Sequence, residues 1–392
     1  MELQVIRNIH PVGQGAFYAE TLHRLGLNND KHIVYDCGVM PLSNRLKEEI
    51  DNFLPNNSAI DILFISHFHA DHVNGIKLLS EKYKIKYVVL PQIDDYEWFY
   101  IVENYLTTGD ADENIISNMK ASIGDARIVQ VSPIEDNDNG LVSEEAVSLD
   151  IFNGDTKAII NGYSPLVIDK NDFVLWHYIV INPLKRSDLC ELRKSLESID
   201  YDGRKLKIAD LQNPNILISV RKELQEVYEK VFRGSNEYSM CMQSELAERR
   251  HYYSNSKYNK RFPHCPDCWC FCEDELRIDN VDGGLYCGDA DFLHCDTLEC
   301  LKRRLDGREN YIGLLQLPHH GSKENFSVEL LNWLNYLQVS FACYGTPNRY
   351  NHPSSDIMGL SGTYSHVIGV NQYKSNVLTE RINVWKRKLK NK

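Results

Sequence analysis

The sequence predicts a layered α/β fold, and three observations carry that prediction. Short apolar runs bounded by glycines alternate with stretches of helical spacing, and a long polar block interrupts them. Strand-like sequence then returns in the last quarter. The chain opens with LQVIRNI, GAFYAETL and HIVYDCG, all rich in β-branched and aromatic residues. SNRLKEEIDNFL follows as a helix, IDILFIS as a strand, IKLLSEKY as a helix and IKYVVLPQ as a strand. Residues 105–147 are acidic and weakly periodic, a helix with loops. VSLDIFNG and FVLWHYIVIN resume the strand pattern.

From about 185 the character changes. SDLCELRKSLESI and SVRKELQEVYEKVF read as helices, and a cysteine-rich stretch follows. GGLYCGDAD, GLLQLPHHGS, VSFACYG and SHVIGV bring the strands back. The organisation expected is one fold in two halves, 1–184 and 281–375. A helical, cysteine-rich insertion (185–280) separates them and a basic tail (376–392) follows, read as a frayed terminal helix.

Composition narrows the function classes. The 392 residues are 43% hydrophobic and 25% charged, as in a soluble globular protein. No run of 18 uninterrupted apolar residues occurs, and MELQVIRNIHPVGQG has no signal-type apolar core, so a cytoplasmic protein without a membrane role is expected. The net charge of −12 argues against bulk affinity for polyanions but leaves room for a local basic groove. Eleven cysteines is an odd number, and four crowd into 265–272, which points to thiolates or metal before a disulfide framework.

The densest chemical signal is ISHFHADHVNG (65–75). His67 and His69 are two residues apart at a predicted strand end, where their side chains share a side. A tight turn brings Asp71 and His72 round as a second pair. Imidazole nitrogen and carboxylate oxygen suit borderline divalent ions such as zinc or manganese. A polar surface loop is the competing reading, and such ligand density behind an apolar strand weighs against it.

HFHADH resembles the signature of the metallo-β-lactamase superfamily, hydrolases built as a four-layer αββα sandwich. Asp36 in YDCG and Asp289 in LYCGDAD match in order. VGQGAFYAE (12–20), LPHHGS (317–322) and YGTPNRYNHPS (344–354) are similar to the branch holding the nuclease-type domain of ComEC and the phosphorylcholine esterases. The resemblance covers about 1–100 and 280–370. It implies one metal at His67 and His69, a second at Asp71 and His72, Asp289 bridging them, His320 completing the second site and Asp36 orienting the loop. Asp71, His319 and His352 would then serve catalysis, as hydroxide acceptor and as contacts or acids for the scissile group. Many members add a histidine between loop and bridging aspartate. Here the choices are His177, His251 and His264, and His177 sits in so apolar a strand that a core role fits better.

The activity implied is hydrolysis of a phosphodiester, DNA or RNA first, by a hydroxide activated on two divalent ions. A small phosphodiester, thioester or lactam is the alternative substrate. A conditionally active subunit, its insertion docked on a protein partner, is the other reading. Cys265, Cys268, Cys270 and Cys272 fit either one further structural zinc or a group of reduced thiols, since C-x-x-C-x-C-x-C is not a ribbon spacing. Upstream, Arg249, Arg250, Lys257, Lys260 and Arg261 alternate with Tyr252, Tyr253 and Tyr258, a composition suited to a nucleic-acid lid or to a solvated surface.

Overall fold

The computed structural model describes residues 1–387 except 57, 93–95, 110–119, 136–139, 144, 153–156, 233–237, 260–275, 295 and 348–349. Ten strands form a first sheet: β1 (Leu3–Ile9), β2 (Phe17–Arg24), β3 (Lys31–Cys37), β4 (Ala59–Phe64), β5 (Lys84–Pro91), β6 (Arg127–Val131), β8 (Lys157–Ile160), β14 (Tyr252–Asn259), β15 (Leu276–Asp279) and β20 (Leu378–Lys386). Their spatial order is β15-β14-β20-β1-β2-β3-β4-β5-β6-β8. Eight more form a second sheet: β7 (Val147–Ser148), β9 (Leu166–Val167), β10 (Trp176–Ile181), β13 (Cys241–Leu246), β16 (Gly283–Tyr286), β17 (Ile312–Gln316), β18 (Val339–Cys343) and β19 (His366–Val370). These run β19-β18-β17-β16-β13-β10-β9-β7, and a hairpin of β11 (Asp200–Tyr201) and β12 (Arg204–Lys205) stands apart.

Three apolar layers stack these elements into an αββα sandwich, as the resemblance implies. Val5, Tyr18, Phe64, Trp176, Met242, Phe341 and Val384 meet between the sheets. On the outer face of the first sheet, helices Asn44–Phe53, Ile76–Lys82, Tyr96–Thr108, Arg186–Leu196 and Arg221–Phe232 bury Ile50, Leu79, Phe99, Leu192 and Leu224. Helices Thr297–Arg304, Val328–Trp333 and Ser355–Ser361 cover the second sheet with Leu301, Leu331 and Ile357. β10 (WHYIVI) is buried along its whole length, as a strand covered on both faces must be. Removing this much apolar surface from water is the main force holding the layers together.

Two boundaries differ from the sequence expectation. Only the first part of 185–280 is helical. β13 lies in the middle of the second sheet between β10 and β16, and β14 and β15 extend the first. CMQSEL in β13 lacks a continuous apolar pattern because of Gln243, Ser244 and Glu245, yet all three are buried in polar contacts. The expected basic tail over 376–392 is, through Lys386, strand β20, paired with both β1 and β14. Its alternation of inward Leu378, Ile382 and Val384 with outward polar residues is masked in sequence by the basic residues after it. The cysteines 265, 268, 270 and 272 lie outside the described residues.

The topology brings one set of strand ends together. β3 and β4 run parallel, as do β16, β17 and β18, so the loops leaving all five collect at one end of the sandwich. Crevices beyond the carboxyl ends of parallel strands are where α/β folds place ligands.

Candidate metal centre

Strand β4 delivers Ile65 and Ser66, and the chain turns into the short helix Ala70–Val73. Asp36, last but one in β3, holds this turn from below. The Ser66 N–H donates to its Oδ1 and the Ser66 hydroxyl to its Oδ2, each at 2.7 Å. His72 Nδ1 lies 2.8 Å from the same Oδ2, which leaves Nε2 facing the crevice. His67 is set in the same way, with Nδ1 2.9 Å from the Ser66 hydroxyl. Asp36 adopts a left-handed φ of 56°, a conformation uncommon for a residue with a side chain. Gly38 is required beside it, since a Cβ there would stand 2.6 Å from the Asp71 carbonyl carbon.

The second sheet supplies the opposite wall. Gly288, at φ +54°, carries the chain out of β16 past Ser66, where a Cβ would come within 2.8 Å of the hydroxyl. Asp289 follows, its N–H donating to Ser239 Oγ at 3.0 Å. After β17, His319 and His320 take left-handed φ values of 47° and 55°. His320 Nδ1 lies 2.9 Å from the Cys343 carbonyl, an acceptor that fixes the proton on Nδ1 and turns the Nε2 lone pair into the crevice. His319 Nδ1 lies 2.6 Å from Asn325 Oδ1. Consecutive strained residues of this kind concentrate at functional sites.

These side chains form two groups that share Asp289. His67, His69 and Asp289 make one, and Asp71, His72, Asp289 and His320 the other, with the potential ligand atoms of each within 4.8 Å of one another. His72 Nε2 is 3.1 Å from Asp289 Oδ1, His320 Nε2 is 3.2 Å from Asp71 Oδ2, and His67 Nε2 is 3.8 Å from Asp289 Oδ2. His67 Nε2, His72 Nε2 and Asp289 Oδ1 are buried without a hydrogen-bond partner. Buried polar atoms of this kind are costly unless something binds them, and a divalent cation fits nitrogen and carboxylate donors aimed at one point.

The electrostatics agree with that fit. Burial resists charge on His72, but Asp289, Asp71 and Asp36 outweigh it and hold the imidazole well above its ordinary pKa. Burial likewise resists ionisation of Asp289, yet His72, His319 and His320 keep it well below the usual carboxylate range. His67 goes the other way: burial, then His72 and His69, hold it well below 6.5 as a neutral ring. The carboxylates that raise His72 favour positive charge in the crevice, and a bound cation would take the place of that proton, since ionised carboxylate and neutral imidazole are the forms that ligate. The centre is open on one side. His67 and His72 have fully buried side chains, whereas Asp71 is 13% and His319 23% exposed. His352 flanks this open side, its ring 5.1 Å from that of His319.

Residues 24–152 match the family model described as the metallo-beta-lactamase superfamily. This segment is a metallo-beta-lactamase superfamily domain. It contains Asp36, the whole HFHADH turn and Glu103, while Asp289, His319, His320 and His352 come from beyond it. Members of the superfamily are generally metal-dependent hydrolases. The crystal structure of Zn(2+)-bound PqqB from Methylobacterium extorquens aligns with 94% of this chain and 98% of its own, at 7% identity and a TM-score of 0.37. No curated protein matches the chain in sequence.

Other residues singled out from the sequence stand outside the two ligand groups. His177, on β10, faces Glu245 of β13 and belongs to neither group. Burial, then the Arg308 charge, pushes its pKa down to about 4. Between pH 6.5 and 4 the unfolded chain therefore binds a proton that the folded chain refuses, so stability falls as pH falls through that window. His177→Phe is expected to remove up to about 3 kcal/mol of that acid sensitivity, read as a smaller loss of urea midpoint between pH 7 and pH 4.5.

Over its described part, 249–259, the basic and aromatic run packs into the first sheet and the turn before it. Arg249 donates twice to Asp282 at 2.8 Å, lies near Glu245 and stacks on Tyr311, so its charge is engaged within the fold. Asp282 precedes β16 whereas Asp289 follows it, which separates the two by roughly 20 Å of extended chain. Tyr252, Tyr253 and Lys257 lie on β14 next to β20, where Tyr253 stacks on Trp385. Arg250 is exposed in the preceding turn, and Lys260 and Arg261 lie outside the described residues. Cys37, Cys241, Cys287 and Cys343 are buried, whereas Cys190 is exposed on helix Arg186–Leu196.

Sequence reasoning missed Ser239 and Asn325, whose contacts set Asp289 and His319, and Glu103, whose Oε2 lies 2.8 Å from His69 Nε2. None carries a local spacing signal, because each reaches the centre only through tertiary packing.

Proposed function

We propose that the protein is a dinuclear metal-dependent phosphodiesterase acting on DNA or RNA. The observation that supports it most is the pair of ligand groups sharing Asp289, with an open side flanked by His319 and His352. The three stretches similar to the ComEC and phosphorylcholine esterase branch also converge there. The Gly345 N–H points at Gln14 Oε1 at 3.4 Å, and the Ser354 N–H donates to the Gly321 carbonyl at 3.0 Å.

His67 and His69 would hold one ion, Asp71, His72 and His320 the other, and Asp289 both. Zinc or manganese so held would supply a water acidified towards neutral pH and would neutralise charge on the scissile group. Asp71, beside the open side, is placed to accept a proton from that water. His319, set through Nδ1 by Asn325, presents Nε2 towards Asp289 and the crevice, where it can contact a phosphate oxygen or protonate a leaving oxygen. Asp36 and Ser66 keep the imidazoles in register without touching substrate.

Purified protein with single- and double-stranded DNA and with RNA, plus manganese or zinc, is expected to cleave at least one of them, and chelation to stop it. Intact nucleic acid beside rapid turnover of a small thioester or lactam would reject the nuclease assignment. The engagement of Arg249 inside the fold favours a small phosphodiester as the second reading, which a panel of chromogenic diesters separates from the first. Cleavage only after a co-encoded partner is added would make the protein a conditional subunit, with the exposed helices of 186–232 as its docking face.

A further inference from the structure

Glu103 is a carboxylate with no place in the ligand groups and no surface. It sits on helix Tyr96–Thr108 at 0% exposure, one turn after Phe99, whose ring packs against those of Tyr228, Phe232 and Tyr238. An anion in such surroundings is costly unless a positive or proton-donating group faces it. Its Oε2 stands 2.8 Å from His69 Nε2. Tyr228 and Tyr238 lie close enough that the Glu103 charge, after burial itself, raises both of their pKa values.

The other crevice histidines follow one pattern. Each has an outer nitrogen set by a neighbour: His67 by Ser66, His72 by Asp36, His320 by Cys343. In His69 the same job falls to the opposite ring nitrogen. We propose that Glu103 is the positioning residue of His69: it holds Nε2 from outside and turns Nδ1 towards the ion shared with His67 and Asp289. The carboxylate stands outside the His67, His69 and Asp289 group, so it acts through the ring and not as a ligand. This inference rests on the metal-centre reading above. Among the described residues no histidine between the HFHADH turn and Asp289 joins His67 and His69, so the first ion depends on how well His69 is oriented.

The test is metal binding, independent of any substrate. Metal-free parent, Glu103→Gln and Glu103→Asp are titrated with zinc against a chromogenic chelator, and their cobalt spectra recorded, with circular dichroism as the folding check. The parent is expected to take two ions. E103Q should take one at the zinc level that saturates the parent, the other binding about 10- to 100-fold more weakly, with altered cobalt bands. E103D, which keeps the charge but draws it back by one methylene, should fall between the two. Should E103Q not fold, E103D weaker than the parent supports the role and E103D equal to it refutes it. Two ions at parental affinity in folded E103Q overturn the role of Glu103 alone. A parent that binds no ion overturns the centre itself, and the role of Glu103 with it.

Discussion

Asp289→Ala is expected to empty both metal positions and to abolish hydrolysis. Asp289 is the only member common to the two groups, its carboxylate reaching His67 through Oδ2 and His72 through Oδ1. Loss of a group that merely orients a ligand weakens metal binding about 10- to 100-fold, so loss of a shared ligand should exceed that for each ion. Elemental analysis of purified D289A should therefore show little or no metal where the parent shows two equivalents. D289A retaining two tightly bound ions would mean that the carboxylate does not bridge.

Arg7→Leu is expected to cause the largest loss of stability. Arg7 lies on the inward face of β1 in line with Leu3, Val5 and Ile9, where alternation calls for an apolar residue. Its Nε donates to Glu20 and its Nη1 to Glu380, both at 2.8 Å, and Nη2 donates to the Ser244 carbonyl. Glu20 also accepts from Trp176, Tyr178, Ser244 and Tyr286. The network ties β1, β2, β10, β13, β16 and β20 together across the space between the sheets. Removing the cation leaves two buried carboxylates uncompensated, which costs about 3–5 kcal/mol out of a total of about 5–15. Urea unfolding should show the midpoint falling steeply. Replacing Glu20 and Glu380 by Leu in the R7L background should recover part of the loss, since the uncompensated charges go with them.

The parts of this molecule that could be read from its sequence are those whose signal is local. HFHADH concentrates four ligand-type residues in six positions, and strands such as IDILF announce themselves by composition. Asp36 and Asp289 became legible only as positions in a family pattern, because an aspartate at a strand end has many uses. Glu103 was invisible: a glutamate in a helix is ordinarily solvated, and nothing in VENYL says that this one faces aromatic rings. β13 misled for a related reason. A strand whose middle is Gln-Ser-Glu looks exposed until the partners of those polar groups, drawn from distant segments, are known. Charge misled in the opposite direction at 249–261, where a cation suited to a polyanion is held by Asp282.

The position of β20 has a consequence for biosynthesis. Arg7 and Glu380, neighbours in the folded sheet, are 373 residues apart along the chain. During translation β1 must wait with one flank unsatisfied until the segment of β20 has been made, and β14 waits with it. Nascent chains stalled before residue 378 should therefore present two adhesive margins to the ribosome surface and to chaperones, and a protein cut at that point should be recovered as aggregate.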